Sequence, residues 1–305
     1  KWFNSLLPAD QIMLENVITV FETTSWLFYL VVIFTGLSVG SFLNVVAYRL
    51  PLMMERDWKL ECHEFLELDK PELEPRLVAM NLATPASACP NCGHKLHLWE
   101  NIPVLGYIFL RGKCSSCGSK ISMQYPLVEL ITGAASIAVA YQFGVTLQAL
   151  FALIFTWVLI ALTLIDLKKQ LLPDSMTLPL LWSGILLSFF NLFTDLSSSV
   201  IGAMAGYLVL WSVYHLFRLL TKKEGMGYGD FKLLAAMCAW TGFTYLPQMI
   251  LVSSVVGSIA GISMLLTGKA KQQQPIPFGP YLAVAGWIAL LWGETINNTY
   301  LNFIS

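Results

Sequence analysis

Residues 147–166 read LQALFALIFTWVLIALTLID, an uncharged run that ends in a single acid, Asp166. A helix over residues 147–165 rises about 28 Å, close to the roughly 30 Å hydrocarbon core of a bilayer. The whole chain has the same character, since 56% of its 305 residues are hydrophobic and 12% are charged, whereas soluble domains carry about 25% charged residues. The sequence therefore predicts an all-α polytopic membrane protein.

Seven further apolar runs occur along the chain, at 25–46, 127–143, 176–193, 200–220, 231–241, 245–266 and 279–296. All except 231–241 are about 17 to 22 residues long, which is enough to cross a bilayer. A helix over 231–241 rises only about 16 Å. This run either recruits residues up to Tyr245 or packs as a half-helix inside protein, where lipid is excluded. About eight transmembrane helices are therefore expected.

Basic residues are distributed very unevenly once eight spans are assumed. Of the 18 lysines and arginines, all except Lys1 then fall on one side of the membrane. Cytoplasmic loops carry the excess of basic residues. The pattern therefore places the polar insert at 49–125 and the loops at 167–175, 218–230 and 268–278 in the cytoplasm, with both termini on the opposite side.

Four cysteines in the polar insert form a C-x2-C-x21-C-x2-C array: Cys89, Cys92, Cys114 and Cys117. The reducing cytoplasm disfavours two disulfides, and four thiolates are the ligand set of a structural zinc ion. Because four protein ligands leave no open position, the predicted zinc site is structural and not catalytic. His94 and His97 could replace a thiolate or support the site from outside, but a surface role is the simpler interpretation.

Three aspartates fall at the cytoplasmic ends of predicted spans: Asp166, Asp174 and Asp230. An acid that enters a membrane segment is costly unless it is paired, hydrated or functional. Two carboxylates brought together resist double ionisation, so that one keeps a proton while the other stays charged. This is the state that an aspartyl protease uses, because the charged member activates a water and the protonated member donates to the scissile carbonyl oxygen.

Asp230 lies in the stretch GMGYGDFK at 225–232. Glycines at 227 and 229 permit a close approach of the backbone to another helix or to a substrate. By itself this stretch could equally be a glycine-rich turn whose acid caps the next helix.

The partner of Asp230 is chosen by comparing the other two aspartates. Asp174 suits the N-cap of the following span. Asp166 ends a helix, where the dipole disfavours an acid, so a structural role explains it less well. We therefore predict Asp166 and Asp230 as the catalytic pair, with Asp174 and Asp230 as the alternative.

Other chemistries are also compatible with parts of the sequence. Glu129, near the cytoplasmic end of the second span, could pair with Arg49 or Lys120 or serve a second activity. A proton- or ion-coupled transporter with a regulatory zinc ribbon is the alternative function. Its acids should be spread across the membrane depth, whereas the three aspartates gather at one face. A zinc metalloprotease is disfavoured because the chain has no HExxH motif.

Five blocks occur in a characteristic order: GSFLNVV at 40–46 with RLP at 49–51; the CxxC pairs followed by IS at 121–122 and YPLVE at 125–129; the stretch 166–174; GYGD at 227–230; and PFGPYLA at 277–283. Together they resemble the bifunctional type IV prepilin peptidases, a GxGD class of membrane aspartyl protease. The resemblance covers residues 40–283.

The resemblance implies an enzyme of the bacterial inner membrane. It would cut the basic leader from type IV prepilins and type II secretion pseudopilins at the cytoplasmic face, and then methylate the new N-terminal residue with S-adenosylmethionine. The family's catalytic aspartates correspond to Asp166 and Asp230, with Gly227 and Gly229 supporting the motif, and its zinc ligands correspond to the four cysteines of the insert. The implied partners are these substrates and the lipid bilayer, without nucleic acid. The residues that would bind the methyl donor are unknown, since no GxGxxG-like loop is present.

The expected domain organisation follows from the spans and the resemblance. An extracytoplasmic segment at 1–24 precedes the first transmembrane helix at 25–48. A cytoplasmic zinc-binding insert associated with methyl transfer occupies 49–125, and a membrane peptidase domain occupies 126–298. A tail at 299–305 completes the chain, with both termini in the periplasm.

Overall fold

The computed structural model describes residues 8–69, 71–267 and 277–304. Over these ranges the regular structure is helical, with two isolated β-bridges, so the predicted all-α class is confirmed. A 3-10 turn at Phe243–Tyr245 precedes the tenth helix. The helices are α1 (Pro8–Thr23), α2 (Ser25–Phe65), α3 (Pro75–Val78), α4 (Leu105–Phe109), α5 (Gln124–Phe143), α6 (Leu147–Lys169), α7 (Asp174–Ser188), α8 (Leu196–Thr221), α9 (Tyr228–Thr241), α10 (Leu246–Leu266) and α11 (Gly279–Ile304).

Among the described residues, five helical segments are long and apolar enough to cross a membrane: α2, α5, α6, α8 and Phe243–Met264. They coincide with five of the predicted spans, and the other three fall on α7, α9 and α11. Parts of the predictions lie outside the described residues, namely positions 1–7 of the N-terminal segment, the loop at 268–276 and position 305 of the tail. Four of the basic residues on which the predicted orientation depends also lie outside the described residues: Lys1, Lys70, Lys269 and Lys271.

Helix α7 is shorter than the apolar run at 176–193 that encodes it. The helix ends at Ser188, and the N–H of Leu192 turns back to the carbonyl of Leu187. Asn191 takes a positive φ of 49°, the left-handed conformation that commonly follows a helix end. Hydrophobicity alone therefore overestimates this helix.

The first compact unit contains the chain up to Leu43 together with Ala86–Ile154. Within it, the first part of α2 packs closely against α5 at two glycines. A Cβ atom on Gly36 would lie 2.6 Å from the Ser136 hydroxyl, and one on Gly40 would lie 2.8 Å from the Cα of Glu129. Any side chain at either position would push the two helices apart, so the small residues determine this packing.

The second compact unit contains Asn44–Pro85 and the chain from Phe155 onward. In its first part, two arginines of α2 hold the loop that follows α3. Arg49, which is buried, donates to the carbonyls of Asn81 and Pro85 at 3.1 and 2.6 Å. Arg56 donates to the carbonyl of Met80 at 3.0 Å. Loop carbonyls that would otherwise lack partners are satisfied in this way.

Helix α9 is the buried element of the second unit, and α7, α8 and α11 pack against it. Every residue from Asp230 to Thr241 except Lys232 is buried. The helix then stops at Gly242, whose φ of 89° favours glycine. Of the two sequence-based alternatives for 231–245, the structure therefore has the short helix enclosed by protein.

Side-chain hydrogen bonds anchor the C-terminal end of α9. The indole N–H of Trp240 donates to the carbonyl of Leu180 on α7 at 2.7 Å. The hydroxyl of Ser199 on α8 donates to the carbonyl of Ala239 at 2.6 Å. Because its far end is fixed to two neighbours, α9 presents its first turn, which carries Asp230, in a defined position.

Candidate functional site

Asp166 and Asp230 come from different helices of the second unit and meet. Asp166 lies in the last turns of α6 and is 5% exposed, and Asp230 lies in the first turn of α9 and is 6% exposed. The two carboxyl groups interact electrostatically. The structure thus brings together the two aspartates that the sequence paired, while their catalytic role remains a prediction.

Backbone groups of two glycines flank the aspartate pair. The backbone of Gly227 hydrogen-bonds the Asp230 carboxyl group, and the backbone of Gly279 approaches the Asp166 carboxyl group. Oδ2 of Asp166 is buried and has no hydrogen bond of good geometry among the described residues. A buried carboxylate oxygen without such a partner is costly, so this atom is suited to a water, a proton or a substrate group.

Close contacts at two glycines shape the surroundings of the pair. A Cβ on Gly279 would lie 2.6 Å from Oδ2 of Asp166, and one on Gly229 would lie 2.8 Å from Cβ of Leu172. Beside Gly227, in contrast, an added Cβ would meet no atom closer than 3.9 Å. Glycine is therefore required for packing at 229 and 279, whereas the space beside Gly227 is open.

Sequence reasoning assigned no role to Gly279. The PFGP motif at 277–280 was the only sequence feature that could have drawn attention to this glycine. The motif does not indicate which side chain the glycine would face. The contact with Asp166 appears only when α11 begins next to the end of α6.

Asp174 does not act as the helix cap that the sequence suggested. The N-cap of α7 is Pro173, without a side-chain capping bond, and Asp174 is the first helical residue. Both of its carboxylate oxygens instead accept from the Lys232 ammonium at 2.7 Å. The interpretation was wrong because Pro173 takes the extended conformation of the cap itself and moves Asp174 one position into the helix.

Glu129 lies in the first unit and is buried. Its Oε2 accepts from the backbone N–H of Val104 at 2.7 Å, and the Ser41 hydroxyl also hydrogen-bonds this carboxylate. These partners are neutral donors, in place of the basic residue that the sequence suggested. The Val104 contact could not be predicted from the sequence, because it depends on a loop that folds back onto α5.

The four cysteines of the insert converge in the first unit. All four sulfur atoms lie within 4.8 Å of one another, with Cys89–Cys117 and Cys92–Cys114 Sγ distances of 3.8 and 3.9 Å. A tetrahedral zinc with bonds of about 2.3 Å separates its sulfurs by about 3.8 Å. The donor set and its spacing therefore fit a zinc ion.

Each CxxC pair forms a tight turn that ends in glycine. Gly93 and Gly118 take positive φ values of 73° and 69°, and their N–H groups donate to the carbonyls of Cys89 and Cys114 at 2.9 and 3.0 Å. The two turns therefore have the same construction and present their thiols to a common centre.

Ser119 favours the metal-binding form of one of these thiols. Its hydroxyl lies 3.2 Å from the Cys117 sulfur. Hydrogen bonds from the hydroxyl and backbone of Ser119 are the main reason that the pKa of Cys117 falls to about 5. Because the thiolate is the metal ligand, Ser119 favours the binding form of Cys117, whereas burial and hydrogen bonds with the other cysteines raise the pKa of Cys92 to about 11.

Comparisons with known proteins agree across nearly the whole chain. Residues 34–143 match the family model described as bacterial peptidase A24 N-terminal domain, and residues 153–262 match the type IV leader peptidase family. No solved structure matches the chain significantly.

Similar curated proteins share one name, prepilin leader peptidase/N-methyltransferase. The protein from Stutzerimonas stutzeri is 55% identical over 90% of this chain and 94% of its own length. The protein from Pseudomonas aeruginosa is 56% identical with the same coverage. The protein from Legionella pneumophila is 44% identical over 91% of this chain and 96% of its own length. With this identity over this length, the chain belongs to the type IV leader peptidase family.

Proposed function

We propose that this protein removes the leader peptide from type IV prepilins and type II secretion pseudopilins and then methylates the new N-terminal residue. The observation that carries the peptidase part is the pairing of two buried aspartates from α6 and α9. The names of the similar proteins support both parts. No comparison favours a transporter, and the two acids lie together instead of being spread along a conduction path.

In the proposed mechanism, Asp166 and Asp230 share one proton when the substrate binds. The charged carboxylate takes a proton from a water molecule, whose oxygen attacks the scissile carbonyl carbon, while the protonated carboxyl group donates to the carbonyl oxygen. The tetrahedral intermediate then collapses, the C–N bond breaks and the departing amine takes up a proton. One water is consumed, and a carboxylate and an amine are produced.

The position of the pair suits cleavage at a membrane boundary. Asp166 is followed in α6 by Lys168 and Lys169, and Asp230 lies in the first turn of a helix too short to span the bilayer. We place this boundary, the cysteine-containing insert and the catalytic pair on the cytoplasmic face of the bacterial inner membrane, with the chain termini in the periplasm. There the basic leader of a prepilin meets its apolar helix.

A zinc ion at the four cysteines would have a structural role in this function. Four thiolates would fill the coordination of the ion, so it would tie the two CxxC turns together and offer no position for a substrate. The methyl group would come from S-adenosylmethionine. This donor is supported by the names of the relatives, and the chain carries no GxGxxG loop to which its binding could be assigned.

The function is tested by incubating the detergent-solubilised protein with a prepilin and S-adenosylmethionine, followed by intact-mass spectrometry. We expect loss of the leader mass and a gain of one methyl group at the new N-terminus. Loss of the leader without methylation would contradict only the transferase part. An unchanged prepilin mass, in a preparation that retains its fold, would contradict the proposal as a whole.

A further inference from the structure

Three further metal-binding side chains meet in the loop that follows the first CxxC pair. One ligand atom from each of His94, His97 and Glu100 lies within 4.8 Å of the other two. They form a group separate from the four cysteines. Two imidazoles and a carboxylate are a donor set that zinc and other divalent transition metals accept.

The spacing within this group already approaches that of a metal site. Nε2 of His94 lies 3.3 Å from Oε2 of Glu100. In a tetrahedral zinc site with bonds of about 2.1 Å, two ligand atoms are about 3.4 Å apart. The rings of His94 and His97 stand edge to face with centroids 5.5 Å apart. Because His97 is exposed, its ring has room to turn toward the other two ligands.

Glu100 gives an independent indication that a cation belongs here. Its side chain is 0% exposed, yet its Oε1 has no hydrogen bond of good geometry among the described residues. Oε2 accepts from the His97 backbone N–H at 2.7 Å and also faces His94. A metal ion held by the carboxylate would satisfy the buried charge directly.

Neighbouring residues hold these ligands in place. Gly106 of α4 lies against the backbone carbonyl of Glu100 so closely that no side chain fits between them. The Ser115 hydroxyl, from the second CxxC pair, lies 3.3 Å from Nε2 of His94 and also hydrogen-bonds Glu100. Its hydrogen bond to Glu100 would orient that ligand from outside the coordination shell, whereas a metal ion bound at Nε2 would take the place of the contact with His94.

We propose that His94, His97 and Glu100 bind a second divalent transition-metal ion, of the zinc type, close to the four-cysteine centre. Unlike that centre, this site has three protein ligands, so one coordination position stays open to water or to an oxygen or nitrogen atom of a ligand. The bound ion would also join the loop at 94–100 to the second CxxC pair through Ser115.

Metal content measured on the full-length protein tests this inference. Purified protein in detergent and reductant is equilibrated with excess zinc, freed of loosely bound ions and analysed by inductively coupled plasma mass spectrometry. We expect two zinc ions per chain for the wild type and one for His97→Ala and Glu100→Gln. His63→Ala, which removes a histidine outside the group, should keep two.

A cobalt titration distinguishes the two sites spectroscopically. Cobalt(II) added to protein that carries one zinc should produce visible d–d absorption without thiolate-to-metal charge-transfer bands, and Glu100→Gln should remove that absorption. A variant that fails to fold would lose both ions instead of one. A single zinc per chain in the wild type at saturation, or two zinc ions retained by both His97→Ala and Glu100→Gln, would overturn the proposal.

Discussion

The ammonium nitrogen of Lys232 lies 2.7 Å from both carboxylate oxygens of Asp174. This ion pair joins the first residue of α7 to α9. Lys232 lies two residues after Asp230 in α9. The side chains of Lys232 and Asp174 are 29% and 55% exposed, and exposed ion pairs contribute about 0–1 kcal/mol. We therefore expect Asp174 to have a minor structural role, whereas Asp230 belongs to the proposed reacting pair.

The first prediction concerns this ion pair. We expect Asp174→Asn and Lys232→Met each to slow prepilin cleavage by no more than about fivefold, the equivalent of about 1 kcal/mol. The double variant should lose little more than either single variant, because both changes break the same contact. Initial cleavage rates at saturating prepilin measure the effect. Complete loss of cleavage in Asp174→Asn would instead assign Asp174 to the catalytic pair.

The second prediction concerns Gly279. A methyl group there would lie 2.6 Å from Oδ2 of Asp166 and must displace the carboxyl group. We expect Gly279→Ala to lower the cleavage rate by about 100-fold, a loss typical of a displacement near 1 Å at a reacting group. Gly257→Ala is the control, because its new Cβ would meet the rings of Tyr281 and Phe278, at 3.2 and 3.7 Å, and no carboxyl group. Equal cleavage rates in the two variants would refute the proposed contact.

The third prediction concerns Glu129. Replacement by alanine leaves the half-buried N–H of Val104 without its acceptor, which costs up to about 1–3 kcal/mol. Glu129→Gln keeps an acceptor oxygen and should lose less stability. Thermal unfolding of the two variants in detergent measures the difference, and the same melting temperature for both would show that this hydrogen bond does not matter.

The fourth prediction concerns the four-cysteine centre. Cys117→Ser removes one of the four thiolates, and we expect the tightly bound zinc at this centre to be lost and the segment around the two CxxC pairs to become sensitive to protease. Cys62→Ser changes an exposed cysteine outside the array and should leave metal content and proteolysis unchanged. Unaltered zinc content in Cys117→Ser would show that the cysteines do not hold the ion.

Much of the fold follows from local patterns in the sequence. Hydrophobic runs of sufficient length predicted α5, α6, α8 and α10, because membrane spans are encoded by continuous stretches. The same patterns do not encode where a helix stops. Asn191 ends α7 early, and Gly242 ends α9. Both ends depend on single-residue backbone conformations that hydrophobicity does not record.

The candidate site was predictable where residues carry charge. Asp166 and Asp230 could be paired because an acid in an apolar setting requires an explanation. The contacts of Gly279 with Asp166 and of Val104 with Glu129 could not be predicted, because each joins segments far apart in the chain. The ion pair of Asp174 was missed for a different reason, since its position after a proline suggested a purely local role.

Asp166 and Asp230 are proposed to act as one catalytic pair, and the most direct test of this pairing is the single-turnover rate of prepilin cleavage by Asp166→Asn and Asp230→Asn. Loss of a general acid or base costs about 100- to 10,000-fold, so we expect either variant to reduce cleavage at least to that extent while remaining folded in the membrane. Asp195→Asn, which changes an acid at the N-cap of α8, should cleave at the wild-type rate. Leader removal by either dyad variant at a rate near that of Asp195→Asn would contradict the account.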